Sequence, residues 1–528
     1  ILSNADGLRS ASATDEIQIK ANLDFTGKTL PAGPIFPGAL VGNGNTISGI
    51  TSDHAIFASV GSVSDLTIDE SCTFAATKAG FLAALAAEST GTFTNVVNKA
   101  NVSVVIAGAG DATVAVGGLV AVGESKMDGC KNYGNVTYTA GASYGALVGG
   151  LAGYNDGAMN KCENHGNVTM SVESLSAYGV VKSIDNLPIH IGGLAAQLGA
   201  NAPVTESVNR GTVDYDITKV ENLAVSCGTN RPRMGGIVGL TQSSITSSTN
   251  EGIVDVNVVT SNSSIFSGKN YPINVGGISG GAPVDASGAS GADITSCTNS
   301  GAITCVTYCK GKGKDTIPTC GGIVAHPGYE DATQTNTITR CENTGSISAT
   351  TFTIARVGGI SGGSGSVTYC KNTGTIDGHL SIEDGNIGGI IGWLDKGHKF
   401  EYNESYCTLS NTRAPGTNGT SEVGGLIGQH GDYDSCPGEG RGCKVRCDIS
   451  YDYSNEKWYG MLLGYFWSTH TVVLGTEDEP IIVLGGSMTY SGGTTQITAE
   501  NYTKYTNHSS AGGNSGSKPF TVHVKFGE

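Results

Sequence analysis

Fourteen cysteines are the side chains of this 528-residue sequence best equipped for chemistry, as thiolate nucleophiles, metal ligands or disulfide partners. Five of them stand in one short frame, Cys-x-Asn-x-Gly-x-Val/Ile: Cys130, Cys162, Cys297, Cys341 and Cys370. The same slot is filled by Ser207 and Ser248, and by Val96 in an eroded copy. A slot that takes Val and Ser as well as Cys asks for a small, buriable side chain, so its thiols read as free and buried. Copies on adjacent strands would lie about 5 Å apart at Cα, which permits a disulfide without requiring one. Two groups fall outside the frame, Cys305/Cys309/Cys320 and Cys436/Cys443/Cys447. A loop disulfide is the alternative reading there. Zinc is disfavoured because no CxxC pair or His-x-His partner accompanies them.

Other chemistries have weaker support. Gly513-Asn514-Ser515-Gly516-Ser517 has the look of a serine-protease nucleophile segment. It would need a His and an Asp from a two-barrel domain upstream, and His326 and His470 sit in no supporting motif. None of the ten His opens an HExxH. The pairs Asp214/Asp216 and Asp432/Asp434 flank Tyr215 and Tyr433 and read as solvated surface. Residues after the Cys slot are Lys131, Glu163, Val208, Thr249, Thr298, Glu342 and Lys371, a solvated face rather than an acidic groove. Tyr402, Tyr406, Tyr451, Tyr453, Trp458 and Trp467 could stack on sugars, but read first as packing for a C-terminal cap. No catalytic, cofactor-binding or metal-binding residue is assigned, and no cofactor is expected.

The elements that would position these residues follow from composition and repetition. Glycine numbers 80, about 15% against a usual share of about 7%. Charged residues make up 14%, well below the usual share. Few strong helix formers remain, which excludes a bundle or a doubly wound α/β enzyme. The net charge of −16 disfavours nucleic acid as a partner. A motif apolar-Gly-Gly-apolar-apolar-Gly/Ala recurs at Gly117, Gly149, Gly192, Gly235, Gly276, Gly321, Gly358, Gly388 and Gly424. The Cys/Ser-x-Asn-x-Gly frame follows each of the first seven copies. Fixed spacing within the frame and variable spacing between copies is the signature of a coil with loop insertions.

The fold class expected is therefore all-β: a single right-handed parallel β-helix (β-solenoid) of about twelve rungs with capped ends, roughly 60 Å long at ~4.8 Å per rung. Each rung is expected to carry a Gly-Gly strand, a strand ending at the Cys slot, a turn at Asn-x-Gly, and a strand opening on Val or Ile. The Asn should stack into a ladder and the Gly should take a positive φ. Residues 1–78 read as an N-terminal cap and first coils, 79–470 as the repeat body and 471–528 as a C-terminal cap. Cys407 reads as a broken copy without its Asn-x-Gly. The longest insertions, 170–190, 257–274 and 304–319, should project from one edge. No window is apolar enough to span a bilayer. No signal peptide is visible, and a chain opening at Ile1 rather than Met reads as processed or truncated.

The runs GGLVA, GGIVG, GGIIG and GGLIG, the first two followed by the Cys/Ser-x-Asn-x-Gly frame, together with GALVGNGNTISGI and AIFASVGSVSDLTI, resemble the GLUG-type repeat of bacterial cell-surface proteins, especially those of Bacteroidetes. The likeness covers roughly residues 20–465. It implies a β-helix on an exported, often lipid-anchored protein described as an adhesin, with an IgA-peptidase label on some relatives. The function expected is that of a non-enzymatic exported surface protein, an adhesin binding a glycan or a host or matrix protein through the loop edge. A polysaccharide lyase or hydrolase on the β-helix, or a structural stalk of a larger surface protein, is the alternative. Glycans or host surface proteins are the expected partners, with membrane contact only through an anchor outside this sequence, a monomeric state, and a cell-surface (outer membrane-anchored) or secreted location.

Overall fold

A computed structural model describes residues 16–527 apart from 31–34, 108–112, 142–144, 174–188, 218–231, 259–272, 283–291, 308–316, 327–336, 352–354, 381–384, 413–420, 432, 452–457, 467–469, 491–492 and 507–519. The insertions 170–190, 257–274 and 304–319 fall largely outside the described residues, as do Cys309, Asp432, Tyr453, Trp467 and the 513–517 segment. The chain divides into two compact units, Ile1–Ile265 and Phe266–Glu528. Among the described residues there is one 3-10 turn, Tyr502–Tyr505, no α-helix, and no helix long and apolar enough to cross a membrane.

The first unit is a parallel β-solenoid. Its Gly-Gly strands stack in register, Ala146–Gly149 between Val114–Gly117 and Ile189–Gly192. Its Val-led strands do the same, with Val136, Val168, Val213 and Val254 in one column. Alternation along Val213–Ile217 buries Val213, Tyr215 and Ile217 and turns Asp214 and Asp216 outward. Each buried Val or Ile contributes about 1.5–3 kcal/mol, but only because a rung above and below covers it.

The Asn forms the expected ladder. Asn98, Asn132, Asn164, Asn209 and Asn250 are buried, and each of the first four amides donates to the next Asn carbonyl at 2.8 Å. The same amide nitrogen donates to the carbonyl two residues on, as from Asn164 to Gly166 at 2.7 Å. This explains the Gly-Gly pair: a Cβ at Gly150 would strike the Asn164 amide and the Gly193 carbonyl. The small residue that closes the motif has a different reason. At Gly153 a Cβ would meet the Ala121 carbonyl at 2.6 Å, the Leu147 carbonyl at 3.0 Å and Ala115 Cβ at 3.1 Å. Here the chain doubles back at Gly-Gly and the two strands pack backbone against backbone, with Ala83, Ala115, Ala121, Leu147 and Ala196 filling the seam.

The glycine of Asn-x-Gly does not take the expected positive φ. The left-handed residue is the one before the Cys slot: Lys161 (φ 51°), Glu206 (47°) and Ser247 (51°). The Asn-x-Gly glycine is needed for space instead. A Cβ on Gly166 would overlap the Gly134 carbonyl of the adjacent rung. A non-glycine left-handed residue costs roughly 1–2 kcal/mol. The strain recurs at each corner because the ladder and strand pairs on both sides fix the chain there.

The second unit is built the same way. Asn274–Gly276, Thr319–Gly321, Arg356–Gly358, Gly385–Gly388 and Ser421–Gly424 stack in parallel, and Asn299, Asn343 and Asn372 form an amide ladder of their own at 2.9 Å. Left-handed corners recur at Ser296, Arg340, Tyr369 and Tyr402. Among its described residues one antiparallel pair joins Ile481–Tyr490 to Gly493–Gln496. The all-β, parallel-solenoid expectation holds in both units.

The slot itself needs more than small size. The Cys162 N–H donates to Ser207 Oγ at 3.0 Å, and the Ser207 N–H to Ser248 Oγ at 3.2 Å. In the second unit the N–H groups of Cys297 and Cys341 point at the sulfurs of Cys341 and Cys370, both at 3.4 Å. The slot therefore holds an acceptor for a buried backbone N–H, which is why Cys and Ser exchange there. Asn403 takes this place on the next rung, its Oδ1 accepting from the Cys370 N–H at 3.0 Å. Cys407 is thus not the broken copy read from the sequence; Asn403 is the slot residue.

Candidate functional site

The scaffolding positions that repeat from rung to rung point inward, so the outward residues of the Val- or Ile-led strands are the ones open to solvent for chemistry. On several rungs both are hydroxyls: Thr137 and Thr139, Thr169 and Ser171, Ser348 and Thr350. Two places bring ionisable side chains together instead.

In the second unit the strand Ile376–Leu380 buries Ile376, Gly378 and Leu380 and presents Asp377 and His379 outward. Asp377 pairs with Ser410 on the strand Thr408–Asn411, in a register that sets His379 beside Thr412. His379 Nε2 lies 3.2 Å from Asp377 Oδ2, its Nδ1 is in hydrogen-bond contact with the Thr412 hydroxyl, and the Ser410 hydroxyl donates to Asp377 Oδ1. An ionised carboxylate only accepts, so the neutral ring carries its proton on Nε2 and its Nδ1 accepts from Thr412. The result is a carboxylate–imidazole–hydroxyl relay on a rigid sheet. Asp377 and His379 are 49% and 37% exposed, so a substrate can reach it. The set was missed in the sequence because only the position after the Cys slot was compared between rungs. The first and third residues after the Val or Ile that opens each strand, read in the same way, reveal Asp377 and His379.

In the first unit Asp214 and Asp216 share their face with Asp255, which pairs with Asp214 on the adjacent strand. This departs from the expectation of simple solvated surface. Half-burial raises the Asp214 carboxyl, and the charges of Asp216 and Asp255 add to it, to about 6. Asp216 is raised for the same reasons, burial first and then Asp255. The folded pKa of Asp214 stands above its unfolded value, so the native state binds the extra proton. Stability is then lost as pH rises from about 4 to about 6 and stays lower above. Asp214→Asn is expected to stabilise the protein at pH 8 by about 1 kcal/mol, a full two-unit shift discounted for exposure, and to do nothing at pH 4. Urea unfolding at the two pH values checks this. Equal shifts at both would contradict it.

The remaining sequence candidates serve structure. Lys131 and Glu163 pair at 2.8 Å, Glu163 and Arg210 at 2.8 Å, and Arg210 and Glu251 at 3.2 Å, along the solvated edge. Lys131 first, with His165 and Arg210, holds the Glu163 carboxyl down at about 2 against the opposing effect of desolvation. Tyr369 and Tyr402 stack at 4.8 Å. Tyr451 packs on Tyr459 at 4.4 Å and Tyr490 at 5.8 Å, and Trp458 on Tyr465 at 4.9 Å. Asp434 accepts the Thr471 N–H, with His470 4.0 Å away, and His326 is buried. A buried pair that the sequence did not suggest, His430 and Glu439 at 2.9 Å, lies under Tyr433. The described cysteines are unbridged, and no group of them with His, Asp or Glu among the described residues could hold a metal ion.

No family model matches the chain, so membership of the GLUG-type repeat family is not shown. No curated protein matches it either. Among solved structures, the chain is similar to a candidate immunoglobulin A1 protease from Bacteroides ovatus, at 17% identity and a TM-score of 0.35, over 48% of this chain and 76% of that one. It is also similar to a structure named IgA1 protease, at 15% identity and a TM-score of 0.37, over 65% of this chain and 21% of that one. Likenesses at this level assign no activity to this chain. Both are named as proteolytic enzymes, however, and the expected non-enzymatic adhesin is corrected on that finding.

Proposed function

We propose that the chain is a secreted or surface-exposed bacterial hydrolase that cleaves acyl bonds, peptide or ester, on the outward face of its second unit. The observation that carries this reading is the position of His379, in contact with Asp377 through one ring nitrogen and with Thr412 through the other. Thr412 Oγ attacks the acyl carbon while its proton passes to His379 Nδ1. Asp377 stabilises the imidazolium through the Nε2 proton and fixes the ring's tautomer. The imidazolium then gives its proton to the leaving amine or alcohol. Water, deprotonated by the same nitrogen, releases the acyl group from Thr412. Ser410 holds the Asp377 carboxylate in place by donating to its other oxygen. The proteolysis in the names of the two similar structures is of this reaction class, but the proposal rests on the side chains alone. The test is hydrolysis of an activated acyl ester and of a mixed peptide library by the purified chain. Turnover should disappear in Thr412→Ala and persist in Thr412→Ser. Equal turnover in Thr412→Ala, or none in the parent, would sink the reading.

A further inference from the structure

The amide ladder that joins rungs of the second unit stops after Asn372. Its partner on the next rung is Ser405, and the partner of Ser405 is Val445. Neither can pass an amide bond onward. Two residues beyond each, where earlier rungs carry glycine (Gly345, Gly374), stand Cys407 and Cys447. Their sulfurs lie 3.3 Å apart, and Ser405 Oγ is 3.2 Å from each. Both thiols are buried, at 5% and 0% exposure. The slot thiols are directed differently. Cys341 Sγ accepts the Cys297 N–H at 3.4 Å and lies 3.5 Å from the Ile294 carbonyl; Cys447 Sγ also lies 3.6 Å from the Gly425 carbonyl, but it adds the direct contact with a second sulfur. The 407/447 pair is also opposed in acidity. The contact with Cys447, and burial, hold Cys407 well above the ordinary thiol value. Burial works against the Cys447 thiolate too, but hydrogen bonds from Cys407 and Ser405 outweigh it and bring Cys447 below that value.

We propose that Cys407 and Cys447 are a covalent cross-linking site, closing into a disulfide that joins two consecutive rungs where the asparagine ladder ends. In-register parallel strands place the Cα atoms about 4.8 Å apart, inside the range a disulfide spans. The sulfurs must approach by about 1.3 Å to reach a bond of about 2.05 Å. The pairing beside Cys447 is irregular: from Val445 to Cys447 the partner strand Ile481–Tyr490 advances three residues, Val483 to Gly486, against two. The oxidant is a small or protein disulfide, R–S–S–R. Cys447 as thiolate attacks one of its sulfurs and expels RS⁻. Cys407 then gives up its proton and attacks the sulfur of Cys447 in the mixed disulfide, expelling the second RS⁻. The chain loses two hydrogens and two electrons, and the oxidant becomes two thiols. Because both sulfurs are buried in the finished fold, the exchange belongs to folding, before the two rungs close, or to local opening afterwards.

The test is refolding of the full chain from urea in a mixture of reduced and oxidised glutathione. Free thiols are then alkylated under denaturing conditions, and the peptides are mapped by mass spectrometry. The expected result is a mass lower by about 2 Da, the two hydrogens lost, with one cross-linked species joining the peptides of Cys407 and Cys447 and the slot thiols alkylated. Cys447→Ser should abolish the cross-link, while Cys443→Ser, four residues away, should leave it. Recovery of both cysteines in alkylated form, or a bridge from either to a different cysteine, would overturn the proposal.

Discussion

Replacement of His379 by Gln lowers kcat for acyl hydrolysis about a thousandfold, with little change in KM or in the unfolding midpoint. The magnitude is that of removing a positioned general base, about 10²–10⁴-fold. The selectivity follows from where the ring sits. His379 projects outward between two buried residues, Gly378 and Leu380, and its partners are two side chains on the same face. Glutamine can replace the hydrogen bond to Asp377 but cannot accept a proton from Thr412, so the surface keeps its shape and loses its base. Paired kinetics and thermal unfolding of the parent and His379→Gln decide the matter. An unfolding midpoint that falls together with kcat would make the residue structural. An unchanged kcat would remove it from the chemistry.

The largest effect on stability belongs to the ladder. Asn164→Ala is expected to cost about 3–6 kcal/mol. The substitution strips Asn132 Nδ2 of one of its two acceptors, and Asn209 Nδ2 of nothing, but it leaves the Gly166 carbonyl without the amide that bonds it now. It also removes the donor to Asn209 Oδ1. Each buried polar group so orphaned costs about 1–3 kcal/mol. A solenoid rung touches only its neighbours, so the damage should be local. Hydrogen exchange should speed up in the strands Glu163–Asn164 and Val168–Val172 and in the rungs flanking them. The half-buried Asn160, whose amide donates to Asp128 and accepts from the Thr205 hydroxyl outside the core, supplies the comparison: Asn160→Ala should cost no more than about 1 kcal/mol. A cost for Asn164→Ala as small as that would mean the amides are ornaments on a fold held by its aliphatic core.

The solenoid was legible in the sequence because every rung reuses the same inward positions, and a residue that must fit between two copies of itself is constrained to a few types. Asn164 and Gly166 are written into the repeat for that reason. The left-handed corner was not legible. The residue before the slot faces outward, so Lys161, Glu206, Ser247, Arg340 and Tyr369 all serve and leave no common letter. Cys407 was misplaced because Asn403 can offer a slot acceptor as well as sulfur can, which hides the true register from a search for cysteine. The relay escaped for the opposite reason to the ladder. Asp377, His379, Ser410 and Thr412 stand at outward positions that differ from rung to rung, and their meeting depends on the pairing of Ile376–Leu380 with Thr408–Asn411 across an intervening stretch of chain. The three-carboxylate face of Asp214, Asp216 and Asp255 is the same kind of feature, visible once Val213 and Val254 are stacked.

Covalent capture tests the central claim most directly, because it reports on the hydroxyl itself. The native chain is treated with a fluorophosphonate, which modifies a hydroxyl only when a neighbouring base activates it, and the adduct is located by peptide mapping. The account predicts modification at Thr412, lost in His379→Gln and in urea. No adduct at Thr412, or the same adduct in His379→Gln, would contradict it.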